Sequence, residues 1–146
     1  MSKLQVELVS PERTGFSGEA RMVTARTLAG DIAFLPGHVP FIGVLTTHGV
    51  RVTLLDGSVV PIAVHQGFVE VSPPDAEGTT RVTILSDVSE MPEAIDVPRA
   101  ERAADRARHI LADEPDNEDA KAALRRAEVR LETAGAIPNG SIHADH

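Results

Sequence analysis

The sequence predicts a β + α chain: an N-terminal antiparallel β-sandwich or flattened barrel followed by a C-terminal two-helix antiparallel hairpin. Three observations predict it. Up to about residue 88, apolar residues recur with a period of two, broken by turn residues roughly every 8 to 12 positions. Ser86 to Pro92 is polar and ends on a proline. Beyond it the apolar period lengthens to about 3.6, that of a helix. The expected divisions are a β-sandwich domain over 1–88, a linker over 89–95, a helical hairpin over 96–135 and a disordered tail over 136–146.

Leu4, Val6 and Leu8 alternate with Gln5 and Glu7, the pattern of a half-buried strand that Ser10-Pro11-Glu12 ends. Phe16 to Ala20 reads as a short second strand or turn, and Met22 to Thr27 as a strand carrying the β-branched Thr24 and Thr27. Leu28 to Asp31 turns the chain into two apolar runs, Ile32–Leu35 and Phe41–Leu45. Between them lies Pro36-Gly37-His38-Val39-Pro40. Proline fixes φ near −65° and glycine accepts positive φ, so Pro-Gly favours a tight reversal, and Pro40 biases Val39 towards an extended conformation. His48-Gly49 reads as another turn, and Val50, Val52 and Leu54 as the next strand.

Asp56-Gly57 is the strongest hairpin signal, expected as a type I′ turn with positive φ at both central residues. Val59 to His65 returns, with Pro61 predicting an edge or a bulge. Gln66-Gly67 is expected to turn again before Phe68–Val71, and 72–78 to form a loop. Arg81 to Leu85 closes the block, with Val82, Ile84 and Leu85 as core candidates. The count is roughly eight to ten short strands.

In the second block Ala100, Ala103, Ala104, Ala107 and Leu111 share one helix face, with Ile110 beside them. Asp96 is the expected N-cap, and Pro98 falls in the first turn, where a missing N–H costs little. Ala112 to Asp116 breaks the helix, and Asp116 or Asn117 caps the next. Ala120, Ala123, Leu124, Ala127, Leu131 and Ala134 repeat the spacing, and Gly135 stops it. The facing stripes are mostly Ala, which buries little area at about 25 cal/mol per Å², so a weakly docked hairpin able to open is expected.

Composition excludes several classes. A length of 146 residues allows one ordinary domain, or a small domain with an appendage. There is no Cys, hence no disulfide framework, thiolate nucleophile or Cys-based zinc site. A net charge of −8 argues against a nucleic-acid partner. Residues 1–88 carry 6 Lys/Arg against 9 Asp/Glu, and the remainder 8 against 13. That density of both signs suits a solvated or partner-facing hairpin. No signal-peptide core opens the sequence, and no apolar run approaches the ~20 residues that span a bilayer, so membrane association is expected only through a partner.

No P-loop, G-x-S-x-G or H-E-x-x-H pattern is present. The six histidines lie at 38, 48, 65, 109, 143 and 146. No catalytic residue and no metal site is expected. A cupin-like β-barrel metalloenzyme is the enzymatic alternative, although the usual His-x-His with a following Glu is missing; a free-standing adaptor is the other. His38 reads first as a turn histidine bonded to nearby backbone.

Gly30-Asp31, the following hydrophobic run and Pro36-Gly37-His38-x-Pro40 resemble the hallmark of the epsilon subunits of F-type ATP synthases (delta in mitochondria). Leu8-Val9-Ser10-Pro11-Glu12 is similar to that family's opening V-S-P-E. Gly67-Phe68-Val69-Glu70-Val71 resembles its G-G-x-x-E-V segment, with Gln66 in place of the first Gly. The resemblance covers nearly the whole chain. It implies a non-catalytic rotor subunit of the central stalk, peripheral to the cytoplasmic face of a bacterial membrane. It also implies that the subunit couples gamma to the c ring. Its sandwich would dock, through Gly30, Asp31, Pro36, Gly37, His38 and Pro40. Its hairpin would extend towards the alpha/beta head and restrain ATP hydrolysis.

Ile95-Asp96-x-x-Arg99-Ala100 further resembles the I/L-D-x-x-R-A pattern with which some bacterial epsilon subunits bind ATP. The resemblance extends the candidate set to Arg106 on the first helix and to Arg126 and Arg130 on the second. Guanidinium groups pair with phosphate oxygens in a bidentate way, so converging arginines suit a polyphosphate. Against that, Asp96 is a helix cap on any account, and Arg126 and Arg130 also fit a solvated face. No cofactor is required; ATP is the expected regulatory ligand.

Overall fold

The computed structural model describes residues 3–11 and 14–138. Seven strands are followed by two helices: β1 Lys3–Val9, β2 Thr14–Thr27, β3 Gly30–Phe34, β4 Phe41–Leu45, β5 His48–Leu54, β6 Val59–Val71, β7 Thr79–Glu90, α1 Val97–Asp113 and α2 Glu118–Thr133. A single 3₁₀ turn, Pro92–Ala94, precedes α1. The chain separates into two compact units, Met1–Ser89 and Glu90–His146.

In the first unit the sheet closes on itself as a flattened barrel. Two long strands achieve this by changing partners. β2 gives its first half to β1 and its second to β3 and β5. β6 gives Val59–Val64 to β5 and Gly67–Val71 to β4. At the changeover the carbonyls of His65 and Gln66 fall between the two ladders. Side-chain hydroxyls take over: Thr47 Oγ1 donates to His65 O at 2.7 Å and Ser86 Oγ to Gln66 O at 2.5 Å. A buried carbonyl without a partner is costly, so two hydroxyls permit one continuous strand where two were expected.

The strands are therefore fewer and longer than the sequence predicts. The expected turns at Gln66-Gly67 and His48-Gly49 lie inside β6 and β5, and Phe16–Ala20 and Met22–Thr27 are one strand. Gly67 marks a close approach instead: a Cβ there would meet Leu85 O at 2.4 Å. β7 continues through the polar stretch to Glu90, since ladder bonds are indifferent to side-chain polarity. One pairing departs from the antiparallel expectation. β1 and β7 run parallel, Lys3 opposite Thr79 through Val9 opposite Leu85, and this pair closes the barrel.

The Asp56-Gly57 hairpin forms with a different turn. Only Gly57 has positive φ (92°); Gly57 N donates to Leu54 O at 3.0 Å and Leu54 N to Ser58 O at 2.8 Å. That is a type I turn followed by a left-handed glycine, not type I′. Asp56 stabilises it by accepting from Ser58 N at 2.9 Å and Ser58 Oγ at 2.6 Å, which also holds its carboxyl below the usual range.

Alternation puts Leu4, Val6, Val23, Phe34, Val50, Val52, Ile62, Val69, Val82 and Ile84 inside, each nearly or wholly buried. Burying such a side chain contributes about 1.5–3 kcal/mol.

In the second unit α1 and α2 pack as a hairpin. Asp96 accepts from Arg99 N at 3.1 Å and Asn117 from Ala120 N at 2.9 Å, so both caps act as the sequence predicts, with Asn117 rather than Asp116 serving α2. α2 ends as Gly135 N donates to Glu132 O and Ala136 N to Leu131 O. Ala100, Ala104 and Ala107 are buried on α1, and Ala120, Ala127 and Leu131 on α2, with Val129 and Thr133 buried besides. The expected disordered tail falls mainly on residues 139–146, outside the described residues, as do His143 and His146.

Candidate functional site

The docking candidates divide between the two ends of β3. Gly30 and Asp31 open the strand and Pro36–Pro40 follow its end, so about 17 Å of extended chain separates them.

At the first end Asp31 faces Arg26 across the β2–β3 register, accepting from Arg26 Nε at 2.7 Å and from a terminal Arg26 nitrogen at 3.4 Å. The Arg26 hydrogen bond holds the Asp31 carboxyl below the usual range against desolvation, aided by the charges of Arg26 and His48. Asp31 and Ile32 line a shallow depression of about 440 Å³ with Thr24, His48 and Arg51. His48 Nδ1 lies 2.9 Å from Gly49 O.

At the other end Pro36-Gly37 reverses the chain as predicted. Gly37 has φ 85°, a conformation that side chains resist, and His38 N donates to Leu35 O at 3.0 Å. Gly37 N donates to Thr80 Oγ1 at 2.9 Å, which ties the turn to the wholly buried Thr80 at the start of β7. His38 Nδ1 sits 2.7 Å from Val39 O, and its ring meets Phe34 edge-on at 5.0 Å. His38 thus holds the turn together, the structural role expected of it. Val39 stands 69% exposed at its tip.

Sequence reasoning missed the outer face of β4 and β6. Ile42 and Val44 belong to the apolar run Phe41–Leu45, yet they are 73% and 41% exposed, and Phe68, opposite Val44, is 53% exposed. Gly43 and Val69 point the other way, and Val69 is buried. Alternation through Phe41–Leu45 carried the signal, since a strand buried on one face exposes every second residue. A contiguous exposed apolar face suits a partner.

In the second unit Ile95 and Ala100 are buried, and Asp96 spends one carboxylate oxygen on the α1 cap. Arg99 and Arg106 lie two helical turns apart on α1 and are exposed, as is Arg126 on α2. Arg106 lines a depression of about 480 Å³ with Arg102, Asp105, His109 and Ile110, and neither Arg99, Arg126 nor Arg130 is among its walls. Arg130 has a carboxylate already: its Nε donates to Glu90 Oε1 at 2.6 Å. Sequence reading missed Glu90, because nothing local links residues 40 positions apart. Among the described residues no group of three or more His, Asp or Glu side chains is placed to hold a metal ion. No described helix is long and apolar enough to cross a membrane.

Comparison with known proteins gives one consistent picture. Residues 3–92 match the model of a family described as ATP synthase, delta/epsilon chain, beta-sandwich domain. The ATP synthase epsilon chain of Streptomyces avermitilis is 38% identical over 135 residues, covering 92% of this chain and 98% of that one. Its counterpart in Halalkalibacterium halodurans is 39% identical over 140 residues, covering 92% and 99%. Among solved structures, a chain of the Euglena gracilis mitochondrial ATP synthase shares the fold, with a TM-score of 0.65 at 21% identity over 92% of this chain and 79% of that one.

Proposed function

The chain belongs to the delta/epsilon family of ATP synthase subunits, and from that premise we propose how its two units serve the enzyme. It is the epsilon subunit, a non-catalytic chain of the stalk, and it reaches the membrane through the complex rather than by inserting. Membership sets aside the cupin-like and free-standing readings. The observation that carries this is the epsilon-chain match, which spans both units at 38% identity over 92% of the chain.

The sandwich is proposed as the docking domain and the hairpin as the regulatory one. Gamma and the c ring are the proposed partners of the sandwich. Supporting this are the two ends of β3, with Gly30 and Asp31 at one and Pro36, Gly37, His38 and Pro40 at the other, and the apolar face of Ile42, Val44 and Phe68. The hairpin is proposed to reach the alpha/beta head and to restrain ATP hydrolysis from the cytoplasmic side. Its Ala-rich interface supports opening, since Ala side chains bury little area. ATP is proposed as its regulatory ligand, held by Asp96, Arg99, Arg106, Arg126 and Arg130 beside Ile95 and Ala100. The exposed Arg99, Arg106 and Arg126 offer guanidinium groups to a polyphosphate.

The test is ATP hydrolysis by an epsilon-free alpha–beta–gamma complex titrated with this protein. Saturable binding with inhibition that removal of residues 90–146 relieves supports both roles. Binding without inhibition removes the regulatory role, and no binding to the cognate complex overturns the docking role. Arg126→Ala is expected to abolish ATP-induced shifts in hairpin resonances; shifts that survive it overturn the ATP site.

A further inference from the structure

We propose that the Glu90–Arg130 pair is a clasp that holds the hairpin closed. Glu90 is the first residue of the second unit, where β7 ends, and Arg130 lies in the last turn of α2. Nε donates to Oε1 at 2.6 Å, and the two side chains keep only 30% and 28% of their exposure. Two ion pairs within the helices, Arg108–Asp105 and Lys121–Glu118, join neighbours one turn apart and are largely exposed at 3.3 and 3.5 Å. Those can stiffen a helix but cannot hold one segment to another. The clasp joins the segment leading into α1 to the far end of α2, closing a loop across 40 positions.

Its weight comes from its setting. The α1 stripe buries only Ala100, Ala104 and Ala107, so apolar packing gives the helix pair little directional hold. A half-buried, charge-assisted hydrogen bond is stronger than an exposed pair and more demanding of geometry. Opening the hairpin must break it, and both groups must then be hydrated separately. The clasp therefore sets the ratio of closed to open hairpin. If the hairpin is the regulatory arm proposed above, the clasp sets how much of that arm is available at rest. The clasp itself does not depend on that reading.

The experiment is amide hydrogen exchange on the full chain at low salt. Glu90→Gln and Arg130→Gln should each lower protection of residues 126–133 by about three- to tenfold. Protection of β1, β2 and β6 should stay unchanged, which reports that each variant is folded. The exchanged pair, Glu90→Arg with Arg130→Glu, should restore most of the protection. Raising salt to about 1 M should weaken protection of the wild-type segment as well. Unchanged protection in Glu90→Gln, or an exchanged pair no better than the single variants, overturns the clasp. Loss in Arg130→Gln alone would mean that Arg130 acts by packing, and overturns it too.

Discussion

At the scale of single residues, the barrel depends on positions where one atom decides. Gly67 is buried, and a Cβ there would meet Leu85 O at 2.4 Å and Ser86 Cβ at 3.0 Å. Backbone cannot yield as a flexible side chain can. Gly67→Ala should therefore cost the sandwich about 2–4 kcal/mol, read as a lower denaturation midpoint. Gly37 fails differently: it has open space around its missing Cβ, but its φ of 85° strains any side chain, so Gly37→Ala should cost about 1 kcal/mol. Asp31 yields a pH prediction. Arg26 lowers its folded-state pKa below the ordinary 3.8, so the folded chain binds that proton less tightly than the unfolded one. The stabilisation is complete above 3.8 and is lost as pH falls through the lower folded value. Because the Asp31 side chain is 71% exposed, Asp31→Asn should cost under about 1 kcal/mol at pH 7, and the two denaturation curves should converge in acid.

At the scale of elements, what was legible in the sequence was local. Asp96 capped α1 because an N-cap side chain reaches only three residues ahead, and Pro36-Gly37 turned because proline fixes its own φ and glycine accepts the positive φ that the reversal needs. Asp96→Ala should accordingly cost about 1 kcal/mol of helix stability, seen as faster exchange in the first turn of α1. What was not legible needed a distant partner. Gln66-Gly67 carries turn chemistry, yet Thr47 and Ser86 supply hydroxyls from other strands and keep the chain extended. Ser86→Ala tests this. It strips Gln66 O of its donor and Val88 N of an acceptor, and should cost about 1–3 kcal/mol. The parallel β1–β7 pair was equally hidden, because alternation reports which face a strand buries and not which neighbour it chooses. Of the candidate site, the turn residues and arginines were legible as residue types. Their partition between the two ends of β3, and the capture of Arg130 by Glu90, were not.

At the scale of the whole molecule, the two units differ in what holds them. The sandwich is closed through a long-range ladder and filled by Leu4, Ile62, Ile84, Phe34 and many valines with no measurable exposure. The hairpin relies on alanines, on Val129 and Leu131, on two side-chain caps and on the half-buried Glu90–Arg130 pair. Apolar burial scales with area, so the sandwich should outlast the hairpin. Calorimetry on the full chain should then show two transitions. The lower one should be broad, should lose helical ellipticity, and should fall further in Glu90→Gln. The upper one should lose the strand signal and should be depressed by Gly67→Ala while the lower stays in place. A chain ending at Ser89 should retain the upper transition alone, because that unit has its own core and its own closed set of backbone partners. A single transition shared by all these variants would mean that the units fold cooperatively, and a hairpin with no separate melting would have no inexpensive route to open. Independent melting is the physical condition for the proposed arm to change state while the sandwich stays folded.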